Sequence, residues 1–293
     1  MKTILIPTDF SAAAANAARY GLFLAQHLQA DIQLIHAFKV PAEARAAAQT
    51  AWPLNDYEQV KRDCVLELDN LRHQLELETI ASVSPRNYIS RITGTAELGE
   101  VTVMTRNLVD HYRSPLVVMG MSGAGNLQRL LIGSSSRELI DKATFPVLLV
   151  PDLPVTKQLK KIAFATDLSK GDIQIIHSLA SLARPFNAEI LIAHITDDKY
   201  DTVARQHQVN EFMSGVTDQA NYGQIYYRHI KSMDVDHGLD WLSEHGQIDL
   251  LAMVHRPHPF FEKIFKGSHT QRLARHIRIP LLVFPPDAHG VCF

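Results

Sequence analysis

Cysteine is nearly absent from this chain: Cys64 and Cys292 are the only two in 293 residues. Two thiols exclude a disulfide framework, and neither stands at a metal-ligand spacing. An excess of one charge is also missing, because 29 Lys and Arg face 31 Asp and Glu for a formal net charge of −2. That balance supplies no basic field for a nucleic acid, so none is expected as a partner. Long apolar runs are lacking too. No segment reaches the roughly 20 residues of a membrane helix, and no membrane association is expected. The opening MKTILIPTDF holds an apolar run too short for a secretion signal, broken by Asp9, so the expectation is a soluble cytoplasmic chain. What remains is an ordinary globular composition, 46% hydrophobic and 20% charged, long enough for two domains.

The most informative stretch is Leu116 to Ser136, LVVMGMSGAGNLQRLLIGSSS. Its apolar start, Leu116 to Met119, reads as a buried strand. Gly120, Gly123 and Gly133 punctuate the loop that follows, and from Ser134 onward the pattern is helical. Glycines let backbone N–H groups approach an anion without an intervening Cβ, and the free amides of a first helical turn favour negative charge. The spacing matches neither common nucleotide loop. Gly133 is followed by serines rather than by Lys and Ser/Thr, and Gly123-Ala-Gly125-Asn-Leu-Gln lacks the third glycine of the Rossmann fingerprint.

Upstream, Ile4 to Pro7 reads as a first strand and Thr8-Asp9-Phe10-Ser11 as its exit. Ser11 caps an alanine-rich helix, Ala12 to Leu28, and Ile32 to Phe38 is a second strand, making a parallel βαβ unit. Lys39 to Asp56, with Pro41 and Pro53, reads as a surface excursion, and Tyr57 to Leu77 as an amphipathic helix. Tyr88 to Thr93 is expected as the third strand, Ala96 to His111 as the third helix, Leu116 to Met119 as the fourth strand, Ser136 to Ala143 as helix and Phe145 to Val150 as the fifth strand.

The pattern then restarts. Ile162 to Ser169 repeats Ile4 to Ser11 at an offset of 167 − 9 = 158, and His194 lies under His36 at the same offset. Gly267-Ser268 lies under Gly133-Ser134, and Ile279 to Pro285 under Phe145 to Pro151, at an offset of 267 − 133 = 134. The second copy is therefore 158 − 134 = 24 residues shorter, the loss falling between its second and fourth strands. This gives domains 1–151 and 159–293 joined by a linker, 152–158.

Together, ILIPTDFS, the G-2x-G-9x-G-S loop and the closing PVLLVP resemble a universal stress protein, and the resemblance covers essentially the whole chain as a tandem pair. It implies an α/β fold of two open five-stranded parallel sheets, strand order 3-2-1-4-5, flanked by helices, of the adenine nucleotide alpha hydrolase-like kind. Such an order switches direction between strands 1 and 4, and ligands collect beyond the strand carboxyl ends at that switch. The resemblance further implies ATP as ligand, with Mg²⁺ as an ion bridging its phosphates, although no dedicated carboxylate ligand is visible. Asp9 resembles the acidic residue near ribose and adenine, with Pro7 and Thr8 shaping that edge. Ala37 resembles the residue whose backbone reads adenine. Met119 and Gly120 would flank the ribose, Gly123 would pass beneath the phosphates, and Gly133, Ser134 and Ser135 would bind phosphate oxygens. Asp9 has a competing reading as the cap of the first helix. His36 and His194 read as satisfied core histidines rather than ligands, and Arg129 reads equally as a phosphate contact or a solvated loop residue.

The second copy departs from the pattern. Val254 and Pro257 stand at the first two glycine positions, and Pro7 has become Ala165. A Cβ and a proline ring obstruct backbone approach to a nucleotide, so this half is expected not to bind ATP. Phe260, Phe261 and Phe265 are available to fill the pocket, and Gly267-Ser268 retains the form of an anion-binding helix end. The second half carries most of the histidines; His255, His258 and His269 suggest a metal or a pH switch, but without a zinc spacing they read as scattered surface residues.

The leading expectation is a nucleotide-binding regulatory protein of the stress response, not an enzyme, with one ATP site in the first domain. Weak ATP hydrolysis or another nucleotide chemistry on the same fold is the second reading, though the SGGxDS and HIGH motifs are absent and no nucleophile–base pair stands out. A nucleotide-free interaction protein is the third. The proline-bracketed fifth strands are expected to pair within the chain as a pseudo-dimer, with homodimers of tandem chains as a further step.

Overall fold

The computed structural model describes residues 2–38, 54–82, 88–121, 133–153, 157–197, 203–233, 235–256, 278–286 and 290–293. Two compact units divide the chain, Met1–Gly120 and Met121–Phe293.

In the first unit, β1 (Lys2–Pro7) is buried almost throughout, as its unbroken apolar run requires of a central parallel strand. Ser11 caps α1 (Ala12–Leu28), its hydroxyl accepting from the Ala14 amide at 3.2 Å. Alanine and glycine on the inner face of α1 let the helix lie close to the sheet. β2 (Ala30–Phe38) then pairs parallel to β1, from Lys2↔Ala30 to Pro7↔Ile35. Helix α2 (Leu54–Ser82) runs five residues beyond the expected Leu77 and begins three before Tyr57.

The third strand and helix are displaced from their expected positions. β3 is Ile92–Leu98, not Tyr88 to Thr93, and α3 is Val101–Tyr112, so Ala96 belongs to the strand. The sequence ITGTAEL has little apolar weight, and its strand state comes from pairing with β2 in register from Ile32↔Ile92 to Phe38↔Leu98. Gly99 ends it at φ +151°, a conformation that side chains rarely tolerate, and α3 starts only after that turn. β4 (Val117–Met121) lies parallel to β1 through Leu5↔Val117. Beneath it the buried Ser114 hydroxyl donates to the Thr3 carbonyl at 2.5 Å, tying the two strands at their starts. The strand order in this unit is β3-β2-β1-β4.

The second unit opens with α4 (Ser134–Lys142) and β5 (Val147–Pro151) of the first repeat. It continues with β6 (Lys161–Ala165), α5 (Asp172–Ala183), β7 (Glu189–Asp197), α6 (Val203–Ala220), β8 (Ile225–Ser232), α7 (Val235–His245), β9 (Leu250–Val254) and β10 (Leu281–Phe284). Parallel pairing gives β8-β7-β6-β9-β10, the 3-2-1-4-5 order expected from the resemblance. At 18 residues against 29 for α2, α6 takes up part of the 24-residue deficit of the second copy. The two fifth strands meet within the chain: β5 and β10 pair antiparallel, from Leu281↔Leu149 to Val283↔Val147. This pairing explains why β5 belongs to the second compact unit although the repeat boundary falls after it. Phe293 packs on Phe284 at 6.2 Å, and its amide donates to the Ser181 hydroxyl at 2.9 Å. Among the described residues, no helix is long and apolar enough to cross a membrane.

A Cβ at Gly99 would meet nothing within 4 Å, so its glycine is required by backbone conformation alone. Gly99→Ala should therefore lower stability by about 1–3 kcal/mol, read as a shift in the urea midpoint with unchanged slope.

Candidate functional site

The carboxyl ends of β1 and β4 in the first unit carry most of the residues that the sequence singles out. Pro7 ends β1 in the core, with Thr8 also buried and Asp9 exposed. The turn is built by hydrogen bonds within itself and to β2. The Thr8 amide donates to the Ile35 carbonyl at 2.8 Å, and the Thr8 hydroxyl accepts from the Phe10 amide at 3.1 Å. His36 Nδ1 donates to the Thr8 carbonyl at 2.8 Å, while its ring lies 4.4 Å from that of Phe10, which has φ +62°. His36 is thus a satisfied structural residue, and His194 repeats the device on the Thr166 carbonyl at 3.0 Å. Asp9 is not the helix cap. Its Oδ1 accepts from the Ser11 amide at 3.0 Å and from the Ser11 hydroxyl at 2.5 Å, bracing the residue that is.

Gly120 stands at the end of β4, half-buried, beside buried Met119. A Cβ on it would lie 2.6 Å from the Ala13 carbonyl oxygen and 3.0 Å from the Ala14 nitrogen. No side chain fits there, because the first turn of α1 occupies the space. The structure thus brings Thr8, Asp9 and Gly120 around one helix start, as the switch-point argument expects. Ala37 is half-buried near the end of β2, in register with Glu97.

Gly133 is the N-cap of α4 and provides no side-chain hydrogen bond to it; Ser134 and Ser135 are exposed in its first turn. The positive end of this helix is therefore presented by backbone. Gly123 and Arg129 lie outside the described residues, as do Pro257, His258, Phe260, Phe261, Phe265, Gly267, Ser268 and His269.

A family model described as the universal stress protein family matches residues 1–151 and again 158–285. The chain belongs to the universal stress protein family. Among curated relatives, a universal stress protein of Mycolicibacterium smegmatis is 30% identical over 148 residues, which is 50% of this chain and 47% of that one. The chain thus spans about half the length of this relative. One from Methanocaldococcus jannaschii is 26% identical over 149 residues, 51% of this chain and 81% of that one. In fold, a universal stress protein from Archaeoglobus fulgidus superposes with a TM-score of 0.64 at 16% identity, covering 97% of this chain and 98% of that one. A putative universal stress protein from Pseudomonas aeruginosa gives 0.58 at 13% identity, covering 98% and 94%.

The second stress-protein repeat contains a residue that sequence reading missed. Arg256 corresponds to Ser122 of the first copy, since 256 − 134 = 122. Its Nη1 donates to Asp167, the counterpart of Asp9, at 2.9 Å, and its Nη2 donates to Asp172 at 2.5 Å. Asp172 is fully buried, and its other oxygen accepts from the Thr166 hydroxyl at 2.5 Å. The first copy has Ala14 at this position, since 172 − 158 = 14. Where the first copy leaves an exposed carboxylate, the second thus folds a guanidinium onto it and adds a buried acid to hold that guanidinium. The only advance signal was the simultaneous appearance of Asp172 and Arg256, which becomes meaningful once the fold puts them in contact. The glycine change has its own echo. With Val254 in place of Gly120, α5 starts two residues later than α1 in repeat register, after i→i+3 turns such as Asp172 N to Ser169 O at 2.9 Å.

His255 belongs to this region through Nε2, 3.3 Å from Asp141 Oδ1 on α4. Among the described residues, no group of three or more His, Cys, Asp or Glu is arranged to hold a metal.

Burial pushes the Asp172 carboxyl above the usual carboxylate range, opposed by its hydrogen bonds to Arg256 and Thr166. Burial acts upward on Asp167 as well, but the Ser169 hydroxyl, the charge of Arg256 and backbone amides more than offset it and leave the group below its usual range. Arg256→Ala removes the cation from a buried carboxylate and should destabilise the protein by about 3–5 kcal/mol near neutral pH. The sign with pH follows from Asp172. A folded-state pKa raised still further by loss of the cation gives stability that is present when the acid is protonated and lost as pH rises through the raised value. The deficit against wild type should therefore shrink as pH falls toward the ordinary carboxylate range, and adding Asp172→Asn should recover part of it at pH 7. Denaturation midpoints across pH check both; a deficit independent of pH contradicts the account.

Proposed function

We propose that this chain is a nucleotide-binding regulatory protein of the stress response, acting in the cytoplasm, which holds one ATP in its first repeat. The observation that carries this reading is the asymmetry between the copies. In the first, Asp9 is exposed and, among the described residues, no cation pairs with it; in the second, Arg256 neutralises the counterpart Asp167. Support for a nucleotide in the first copy comes from three features: Gly120 pressed against backbone, the exposed Asp9 carboxylate at the same helix start, and an α4 whose first turn has no side-chain cap. These fit the demands of a nucleotide. Backbone amides and a helix end suit phosphates, and a carboxylate suits ribose hydroxyls.

In this reading Pro7, Thr8 and Asp9 form the ribose and adenine edge and the backbone of Ala37 reads the base. Met119 and Gly120 flank the ribose, Gly123 and Arg129 lie along the phosphates, and Gly133, Ser134 and Ser135 hold phosphate oxygens, with Mg²⁺ bridging them. The domains are 1–151 and 159–293 with 152–158 as linker, the β5–β10 pair joining them as a pseudo-dimer. The second domain contributes scaffold and interaction surface rather than a second ATP site. The role is binding and signalling rather than turnover.

Calorimetric titration of ATP into the full chain should give about one site per chain, and Gly133→Val should abolish it, because a β-branched residue obstructs the approach of phosphate to the helix end. Two equal sites, or binding unaffected by the substitution, would refute the proposal. Labelled ATP should show no turnover above the level of the Gly133→Val protein.

A further inference from the structure

One face of α5 is built differently from its counterpart in the first repeat. There α1 carries Tyr20 and Phe23, both buried, with ring centres 5.6 Å apart. The repeat offset of 158 sets Ser178 and Ser181 under these two aromatics. Two large side chains have given way to two hydroxyls, yet Ser178 is fully buried. What covers it is another part of the chain, residues 290–293. A Cβ on Gly290 would lie 3.1 Å from Gln174 Oε1, the Val291 amide donates to the Ser178 hydroxyl at 2.8 Å, and the Phe293 amide donates to the Ser181 hydroxyl at 2.9 Å. From Gln174 to Ser181 the segment follows α5 for about two turns.

The contact is matched on both sides. Each serine donates back into its own helix, Ser178 to the Gln174 carbonyl at 3.0 Å and Ser181 to the Ser178 carbonyl at 2.8 Å. Both hydroxyls are thereby aimed, with a lone pair left for an incoming amide. Amides two apart point the same way in an extended segment, and residues three apart share one side of a helix. The third point of attachment is apolar: the Phe293 ring is buried and meets Phe284 of β10 edge-on, at 6.2 Å and 75°. Cys292, between the two donor amides, is exposed. The segment is thus held as a bound peptide is held, by alternate backbone groups and one aromatic anchor.

From this match we infer that the Ser178–Ser181 face of α5 is a docking groove for a short extended segment carrying an aromatic residue, and that residues 290–293 occupy it as a strap belonging to the chain itself. The strap supplies from a distance the aromatic bulk that the first repeat carries on the helix. It also gives α5 a second restraint, since Asp172 at the start of the helix is already tied to Arg256. The groove is independent of the nucleotide site proposed for the first repeat.

Hydrogen exchange of the full chain, followed by mass spectrometry on the peptide that contains residues 290–293, reads the strap directly. Two amides in that peptide should exchange at least roughly tenfold more slowly than in the free peptide. Ser181→Ala should release the Phe293 amide, and Phe293→Ala should release both. Alanine is the best helix former, so the serine variant keeps α5 intact, and unchanged exchange in the α5 peptides checks this. A segment unprotected in the wild-type chain, or protection that neither substitution removes, overturns the strap. The groove is tested in trans. A synthetic peptide of residues 286–293, titrated to several millimolar to match the effective concentration that tethering provides, should raise the melting temperature of the Phe293→Ala protein along a saturable curve. The same peptide with alanine in place of its phenylalanine should bind at least roughly tenfold more weakly, the loss expected for one buried aromatic. No saturable shift, or equal shifts from the two peptides, overturns the assignment of the groove.

Discussion

The constraint that organises the first repeat is the approach of β4 to the start of α1 at Gly120, where even one added carbon would lie 2.6 Å from the Ala13 carbonyl oxygen. Backbone packed against backbone, with no room for a Cβ, fixes how the helix leaves the sheet. It also places the Thr8–Ser11 turn, held by its own short-range hydrogen bonds and by Ile35 and His36 of β2, at the end of the neighbouring strand. In a parallel sheet of order 3-2-1-4-5 this is the point at which connections depart to opposite faces and leave a crevice. The glycine does not create the crevice; it lets a helix N-terminus form its wall without side chains in between.

The second repeat shows the consequences of relaxing that constraint. Val254 brings a Cβ, the start of α5 moves two residues along, and Asp172 takes the position of Ala14. A buried acid is costly alone, and Arg256 compensates it while also covering Asp167. The three changes form one arrangement. Asp172 without Arg256 would be an unpaired buried charge, and Arg256 without Asp172 would rest on an exposed acid, where ion pairs are worth little. The second copy thus carries a closed polar network, Arg256 with Asp167 and Asp172, where the first has the exposed Asp9 carboxylate and Ala14.

Much of this was legible beforehand. Alternation of apolar runs with amphipathic segments gave the element order, and the repeat offsets gave the duplication that the family model matches twice. Ser11 was identified as a cap from its place before an alanine-rich run. The misplacement of β3 and α3 has a plain cause: ITGTAEL has too few apolar side chains to look like a strand, and its state is decided by hydrogen bonds to β2 across some 60 residues of sequence. Asp9 was readable either as a cap or as a site residue. Only the coordinates show that it supports the capping serine while its carboxylate stays exposed.

The sequence by itself determined the family, the duplication and the loss of glycines in the second copy, because these depend on the identity and spacing of residues along one dimension. Tertiary structure decided which residues become neighbours. Arg256 meets Asp167 and Asp172 across more than 80 positions of chain, and β5 meets β10 across about 130. Such contacts depend on how a sheet orders its strands, and strand order is set by packing of whole elements that no local pattern encodes.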